Sequence, residues 1–140
     1  MIIKGEIDMD KKVYKALCQE VDGRTTKCFE VFNYMINEYE DRGKTRRYEF
    51  YRKQARKELV LNLVANKKMM SALDATLKDL YDGKIKVGFI EQLRSMKWLS
   101  KTFNYYLATN QTLIEVAREN GVIDKDETEI VIGGDKNESK

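Results

Sequence analysis

Residues 42–57, RGKTRRYEFYRKQARK, concentrate side chains that could hold a polyanion. The segment carries eight cations against the single acid Glu49, a net charge of 8 − 1 = +7, whereas the whole chain carries only +3. The rest of the chain is therefore net acidic, at 3 − 7 = −4. The cations are Arg42, Lys44, Arg46, Arg47, Arg52, Lys53, Arg56 and Lys57. Because the charge is segregated, it favours a binding surface over general basicity.

On a helix, at about 100° per residue, five of these cations fall within an arc of about 140°. They are Arg46, Arg52, Lys53, Arg56 and Lys57. The adjoining side carries residues suited to a core, namely Tyr48, Tyr51, Ala55, Leu59 and Leu63. Arginine forms bidentate contacts with phosphate, and each neutralised phosphate releases counterions. The pattern therefore predicts a helix with one packed stripe and one stripe that contacts phosphates.

Aromatic residues and a second basic cluster extend this hypothesis. Tyr48, Phe50 and Tyr51 lie among the cations, where an exposed ring could stack on an unpaired base. The second cluster surrounds Trp98 and has one acid, Glu91, for a net charge of 5 − 1 = +4. Its cations are Lys84, Lys86, Arg94, Lys97 and Lys101. If both clusters share one face of the protein, Lys97 and Lys101 are predicted to belong to the same nucleic-acid-binding site as the cations of residues 42–57.

Two other interpretations of the basic segment stay open. The cations could form an ordinary solvated helix face, neutralised in space by Glu38, Glu40 and Asp41 just upstream. They could equally steer an acidic protein partner or face an anionic membrane surface. Charge spacing alone does not separate these interpretations.

The composition argues against catalysis and against metal binding. The chain has no histidine, which removes the commonest general base and the commonest metal ligand. Its two cysteines, Cys18 and Cys28, lack the CxxC spacing of a zinc site and fall at apolar helical positions. We interpret both as small core residues in a reducing compartment. Neither GxxxxGK[ST] nor GxGxxG occurs. We expect no enzyme activity and no cofactor.

The hydrophobic periodicity predicts an all-α bundle of four to five helices. The chain has no proline, so glycines are the main punctuation. A first helix over residues 10–21 would end before Gly23, and a second would begin at Thr25 or Thr26. Gly43 separates the second from the third, which would end near residue 66. A fourth would span residues 69–80, before Gly83, and a fifth residues 86–120, before Gly121.

The fifth predicted helix carries a heptad-like seam. Its members alternate steps of four and three: Phe89, Leu93, Met96, Ser100, Phe103, Leu107, Asn110, Ile114 and Ala117. The seam is typical of the inner face of a long bundle helix. The alternative is a contact between subunits, with Ser100 and Asn110 fixing the register, and we expect a homo-oligomer through this seam.

The ends of the chain have another pattern. IIKGEI near the start and TEIVIGG near the finish are short β-branched runs, which predict extended segments at both termini. We expect one helical domain over residues 1–132 and a flexible polar tail over residues 133–140.

Taken together, these patterns predict a cytoplasmic, non-catalytic nucleic-acid-binding accessory protein, DNA and RNA being equally open. No apolar run approaches the length of a membrane span, and no signal peptide is evident. The alternative is a helical protein-interaction module: an assembly factor, a structural subunit or an inhibitor of a larger complex. Small helical proteins of this composition suit the accessory roles found in phages and mobile elements.

Overall fold

Three long helices make up the structure, a computed structural model that describes the backbone of residues 2–125 and the side chains of residues 12–125. Helix α1 spans Ile2–Arg42, α2 spans Arg46–Tyr81 and α3 spans Phe89–Glu119. No strand occurs among these residues. The predicted all-α class is confirmed, whereas the predicted count of four to five helices is wrong.

Three glycines end the helices, as the sequence predicts. Gly43, Gly83 and Gly121 have φ angles of 80°, 75° and 79°. This left-handed conformation is unfavourable for any residue with a Cβ atom but not for glycine. A residue in this conformation commonly ends a helix. These glycines therefore set the two reversals of the chain and the end of α3.

The predicted break at Gly23 is wrong, because α1 continues through it. A glycine inside a helix costs only about 1 kcal/mol, which tertiary packing readily offsets. Thr25 and Thr26 do not cap a new helix. Their hydroxyls donate to the carbonyl oxygens of Val21 and Asp22 one turn earlier, at 2.9 and 3.1 Å, as threonines inside a helix commonly do.

The third and fourth predicted helices are one continuous helix, α2, of 36 residues. No glycine or proline lies between Gly43 and Gly83, so nothing in the backbone ends the helix near residue 66. At 1.5 Å per residue, α2 is about 54 Å long. Most of the basic segment and the whole of the predicted fourth helix therefore lie on the same continuous helix.

The predicted extended segment at the amino terminus is also wrong, because IIKGEI lies within α1. Each β-branched residue lowers helix propensity by less than about 1 kcal/mol, too little to stop a long helix. The second predicted extended segment, TEIVIGG, lies outside the described residues. The predicted boundary between the helical domain and the polar tail, at residues 132 and 133, also lies outside the described residues and stays a prediction.

The helices pack in an up-down-up order around two core clusters. Helices α1 and α2 are antiparallel: Tyr14 donates to the Ala72 carbonyl at 3.1 Å, and Asn62 donates to Thr25 at 2.8 Å. One cluster lies where α1 ends, α2 begins and α3 ends, and includes Phe32, Met35, Leu59, Leu113 and Ile123. The other lies towards the opposite end, and includes Tyr14, Val21, Met69, Leu73 and Leu99.

Helix α3 buries a stripe that is offset from the predicted seam. Its buried residues are Ser95, Leu99, Tyr106, Leu113 and Ala117. Of the nine seam positions, only Ala117 is buried. Phe89, Leu93 and Leu107 are exposed, and the others are half-buried. Among the half-buried positions, Met96, Phe103 and Ile114 pack against the core clusters. The inner-face interpretation therefore fails at the three exposed positions only, and the seam as a whole runs along the flank of α3.

Candidate nucleic-acid interface

The basic segment starts at a tight, hydrogen-bonded turn between α1 and α2. Thr45 caps α2, because its Oγ1 accepts the Tyr48 backbone N–H at 3.0 Å. The same hydroxyl donates to Oε2 of Glu38 at 2.7 Å. Glu38 is only 6% exposed and also accepts from Arg42. The turn thereby holds the first residues of α2, Arg46 and Arg47, in a defined direction.

Two of the predicted phosphate ligands have partners inside the protein. Arg42 Nη1 lies 3.0 Å from Glu38 Oε1. Arg52 Nε donates to the carbonyl oxygen of Gly121 at 2.7 Å, and its Nη2 lies 4.0 Å from Asp124 Oδ1. Arg52 therefore ties the end of α3 to α2, and the structure gives both arginines a structural role.

The other cations of the segment differ in solvent exposure. Arg56 is half-buried, whereas Lys44, Arg46, Arg47, Lys53 and Lys57 are exposed. On α2, Arg46, Lys53 and Lys57 fall within an arc of only about 40° at 100° per residue.

This arc continues along the helix in steps of four and three as one exposed stripe, here called the basic face of α2. Its members are Arg46, Phe50, Lys53, Lys57, Leu61, Val64 and Lys68. Between residues 46 and 68, α2 has two acids, Glu49 and Glu58, and both project at least about 40° outside the stripe. Sequence reasoning missed Lys68, although its spacing from Lys57 was a usable signal.

An aromatic cluster adjoins the basic face. The ring centroids of Tyr34 and Tyr51 are 5.6 Å apart, and those of Phe50 and Tyr51 are 5.9 Å apart. Phe50 is 58% exposed and Tyr34 is 54% exposed, while Tyr51 is half-buried between them. Tyr48 is buried against Tyr39, so its ring offers no exposed face for base stacking. Tyr34 comes from α1, so spacing within α2 could not have identified it.

The second basic cluster lies near the opposite end of the bundle. Gln92 donates to the Leu80 carbonyl at 3.2 Å, and this antiparallel register places Lys97 beside residue 75 of α2. Lys53 is 22 residues from that level, a distance of about 33 Å along the helix. The two clusters therefore lie at different levels of the bundle, and whether they share one face of the protein stays a prediction. Lys101 instead lines a groove of ≈ 520 Å³ between α1 and α3, together with Trp98 and Tyr105.

Neither cysteine is placed to act as a nucleophile. Both thiols are free, and Cys28 is fully buried. Burial, together with the nearby Glu58 carboxylate, raises the pKa of Cys28 to about 12. Burial also raises the pKa of Cys18, whose Sγ lies 3.4 Å from Met69 Sδ. At neutral pH both groups are thiols rather than the thiolates that attack electrophiles.

The described residues contain no group of three or more His, Cys, Asp or Glu side chains able to hold a metal ion. In this part of the chain, no helix is both long and apolar enough to cross a membrane.

The chain matches no protein-family model, no curated protein and no solved structure.

Proposed function

We propose that this chain is a non-catalytic nucleic-acid-binding accessory protein that contacts the phosphate backbone through the basic face of α2. The observation that carries the proposal is the alignment of Arg46, Lys53 and Lys57, all exposed, in one arc of about 40°. From Arg46 to Lys68 the face is about 33 Å long, close to the rise of ten base pairs.

This face suits backbone contact rather than sequence recognition. Three of its four cations are lysines, which act as point charges and do not read base edges bidentately. Cations spaced along a straight helix neutralise phosphates whatever the sequence. The proposed location is the cytoplasm, which agrees with two free cysteines.

A charge-matched comparison tests the proposal. Fluorescence anisotropy of labelled single- and double-stranded DNA and RNA, at several salt concentrations, compares the wild type with two triple variants. The first carries Arg46→Gln, Lys53→Gln and Lys57→Gln, which we expect to lower the salt slope by about 2.7 for duplex DNA and about 2.1 for single strands. The control removes the same charge at the opposite end of the bundle, through Lys84→Gln, Lys86→Gln and Arg94→Gln.

The expected result is a selective loss of affinity in the first variant, with the circular dichroism spectrum of the wild type retained. Absence of binding by the wild type at low salt would overturn the proposal. Equal weakening by both triple variants would also overturn it, because the interaction would then follow net charge rather than the basic face.

The second candidate is a protein-interaction module that self-associates through the flank of α3. The observation in its favour is a group of exposed apolar residues at and after the α2–α3 turn: Tyr81, Phe89, Ile90 and Leu93. Phe89 is 74% exposed, and Phe89 and Leu93 begin the seam. Three aromatic residues farther along α3 differ in exposure: Tyr105 is exposed, Trp98 is half-buried and Tyr106 is buried.

Sedimentation equilibrium tests the second candidate. We expect a wild-type dimer that becomes a monomer in the double variant Phe89→Ser and Leu93→Ser. Val13→Ser, at another exposed apolar position, is the control and should leave the mass unchanged. A wild-type chain that stays monomeric at about 100 µM would exclude stable self-association through the seam.

A further inference from the structure

The rings of Tyr34, Phe50 and Tyr51 form one continuous aromatic surface that crosses from α1 to α2. The two centroid separations, 5.6 and 5.9 Å, lie within the range of favourable ring contacts. The outer rings are both more than half exposed. Phe50 has no polar atom that would gain from this exposure, so its position leaves apolar area in water.

The cations of α2 lie beside these rings. Arg46 precedes Phe50 by four residues and Lys53 follows it by three, so each is a neighbour of Phe50 on the helix surface. Arg47 stands in the same relation to Tyr51, four residues before it. A ligand that reaches the rings therefore meets positive charge on either side along α2.

Acidic side chains restrict the direction from which a polyanion approaches. Glu30 lies one turn before Tyr34 on α1 and is exposed. Glu38, also on α1, is held by Arg42 and Thr45. On α2, Glu49 projects about 100° away from Phe50, although it lies within one turn of Arg46 and Lys53. The phosphates are therefore favoured along the side of the basic face that carries Phe50, next to Arg46, Lys53 and Lys57.

We propose that the aromatic surface makes the basic face selective for single-stranded nucleic acid, with unpaired bases stacking on Phe50 and Tyr34 while Arg46 and Lys53 neutralise the flanking phosphates. The inference rests on the proposed function. In a duplex the bases are paired and stacked on one another, so only the phosphate contacts remain available. In a single strand each base offers a π face, and stacking on an aromatic side chain adds affinity that depends little on sequence.

The test compares a 20-nucleotide oligo-dT strand with a duplex of the same length, each titrated with the wild type and with Phe50→Ala, Tyr34→Ala and Val13→Ala. We expect Phe50→Ala to weaken single-strand binding by about tenfold and duplex binding by less than about twofold. Tyr34→Ala should act in the same direction. Val13→Ala is the control, because Val13 is an exposed apolar residue without a ring that lies outside the basic face. Phe50→Tyr, which keeps a ring, should retain the wild-type affinity.

The possible failures are distinguishable. If the wild type binds neither oligonucleotide at low salt, the proposed function fails. If it binds, and the variant with Arg46, Lys53 and Lys57 neutralised loses affinity, the proposed function holds. In that case, equal effects of Phe50→Ala on strand and duplex, or no effect on either, would overturn the aromatic inference alone.

Discussion

Replacing Thr45 with alanine should destabilise the whole bundle, because this one hydroxyl joins two helices. Its oxygen accepts the backbone N–H of Tyr48 at 3.0 Å and so caps α2. Its proton goes to Oε2 of Glu38, at 2.7 Å. The other carboxylate oxygen of Glu38 accepts from Arg42 at 3.0 Å. The hydroxyl is therefore both the amino-terminal cap of α2 and a ligand of a buried charge.

The expected cost follows from these two roles. Loss of a threonine cap typically costs about 1 kcal/mol of stability. Loss of a hydrogen bond to a charged group costs about 1.5–3 kcal/mol. The second figure is an upper bound here, since Arg42 still compensates Glu38. We therefore expect Thr45→Ala to lower the free energy of unfolding by about 2–3 kcal/mol. Thr45→Ser retains both hydrogen bonds and should cost less than about 0.5 kcal/mol.

Urea unfolding, followed by circular dichroism at the helical band, measures both variants. The midpoint should fall for Thr45→Ala while the slope with urea stays constant, because the surface exposed on unfolding is unchanged. A double-mutant cycle with Glu38→Gln should give a coupling energy above about 0.5 kcal/mol. A loss below about 1 kcal/mol for Thr45→Ala, or an equal loss for Thr45→Ser, would refute the reasoning.

Three further predictions concern single side chains. Arg52→Gln should cost about 0.5–1.5 kcal/mol of stability in thermal unfolding, because the solvent-exposed Gly121 carbonyl exchanges its donor for water; an unchanged melting temperature would contradict this. The neutral thiol of Cys28 binds its proton more tightly in the folded chain, so its stabilisation is complete below pH 9 and is lost as the pH rises towards 12. Between pH 8 and 11, the free energy of unfolding in urea should therefore fall with pH less steeply in Cys28→Ala than in the wild type, by up to about 1.4 kcal/mol per pH unit. Equal slopes for the two proteins would contradict this prediction. Tyr106→Phe removes a 2.9 Å hydrogen bond to Asp22, so it should lower the free energy of unfolding in urea by about 1 kcal/mol. An unchanged free energy of unfolding would contradict this prediction.

Local features of the sequence were sufficient to predict the all-α class of the fold and the positions at which the three helices end. Hydrophobic residues at the 3.6-residue period predict helices because backbone geometry alone determines which side chains share a face. The breaks at Gly43, Gly83 and Gly121 were predictable for the same reason, since a left-handed residue after a helix is a local requirement. The alignment of Arg46, Lys53 and Lys57 likewise follows from their spacing, once α2 is known to be a helix.

Tertiary structure decided which faces are covered and which charges are already paired. Gly23 stays helical, and its conformation is set by the contacts of α1 with its neighbours rather than by its own propensity. Tyr48 and Phe50 are two residues apart in one aromatic-rich segment, yet α1 buries Tyr48 and leaves Phe50 in water. Arg52 differs from Lys53 because the end of α3 comes within hydrogen-bond reach of Arg52 alone of the two. Periodicity determines which residues lie together, but burial and pairing depend on chain segments that are distant in sequence, and only the packed bundle brings those segments into contact.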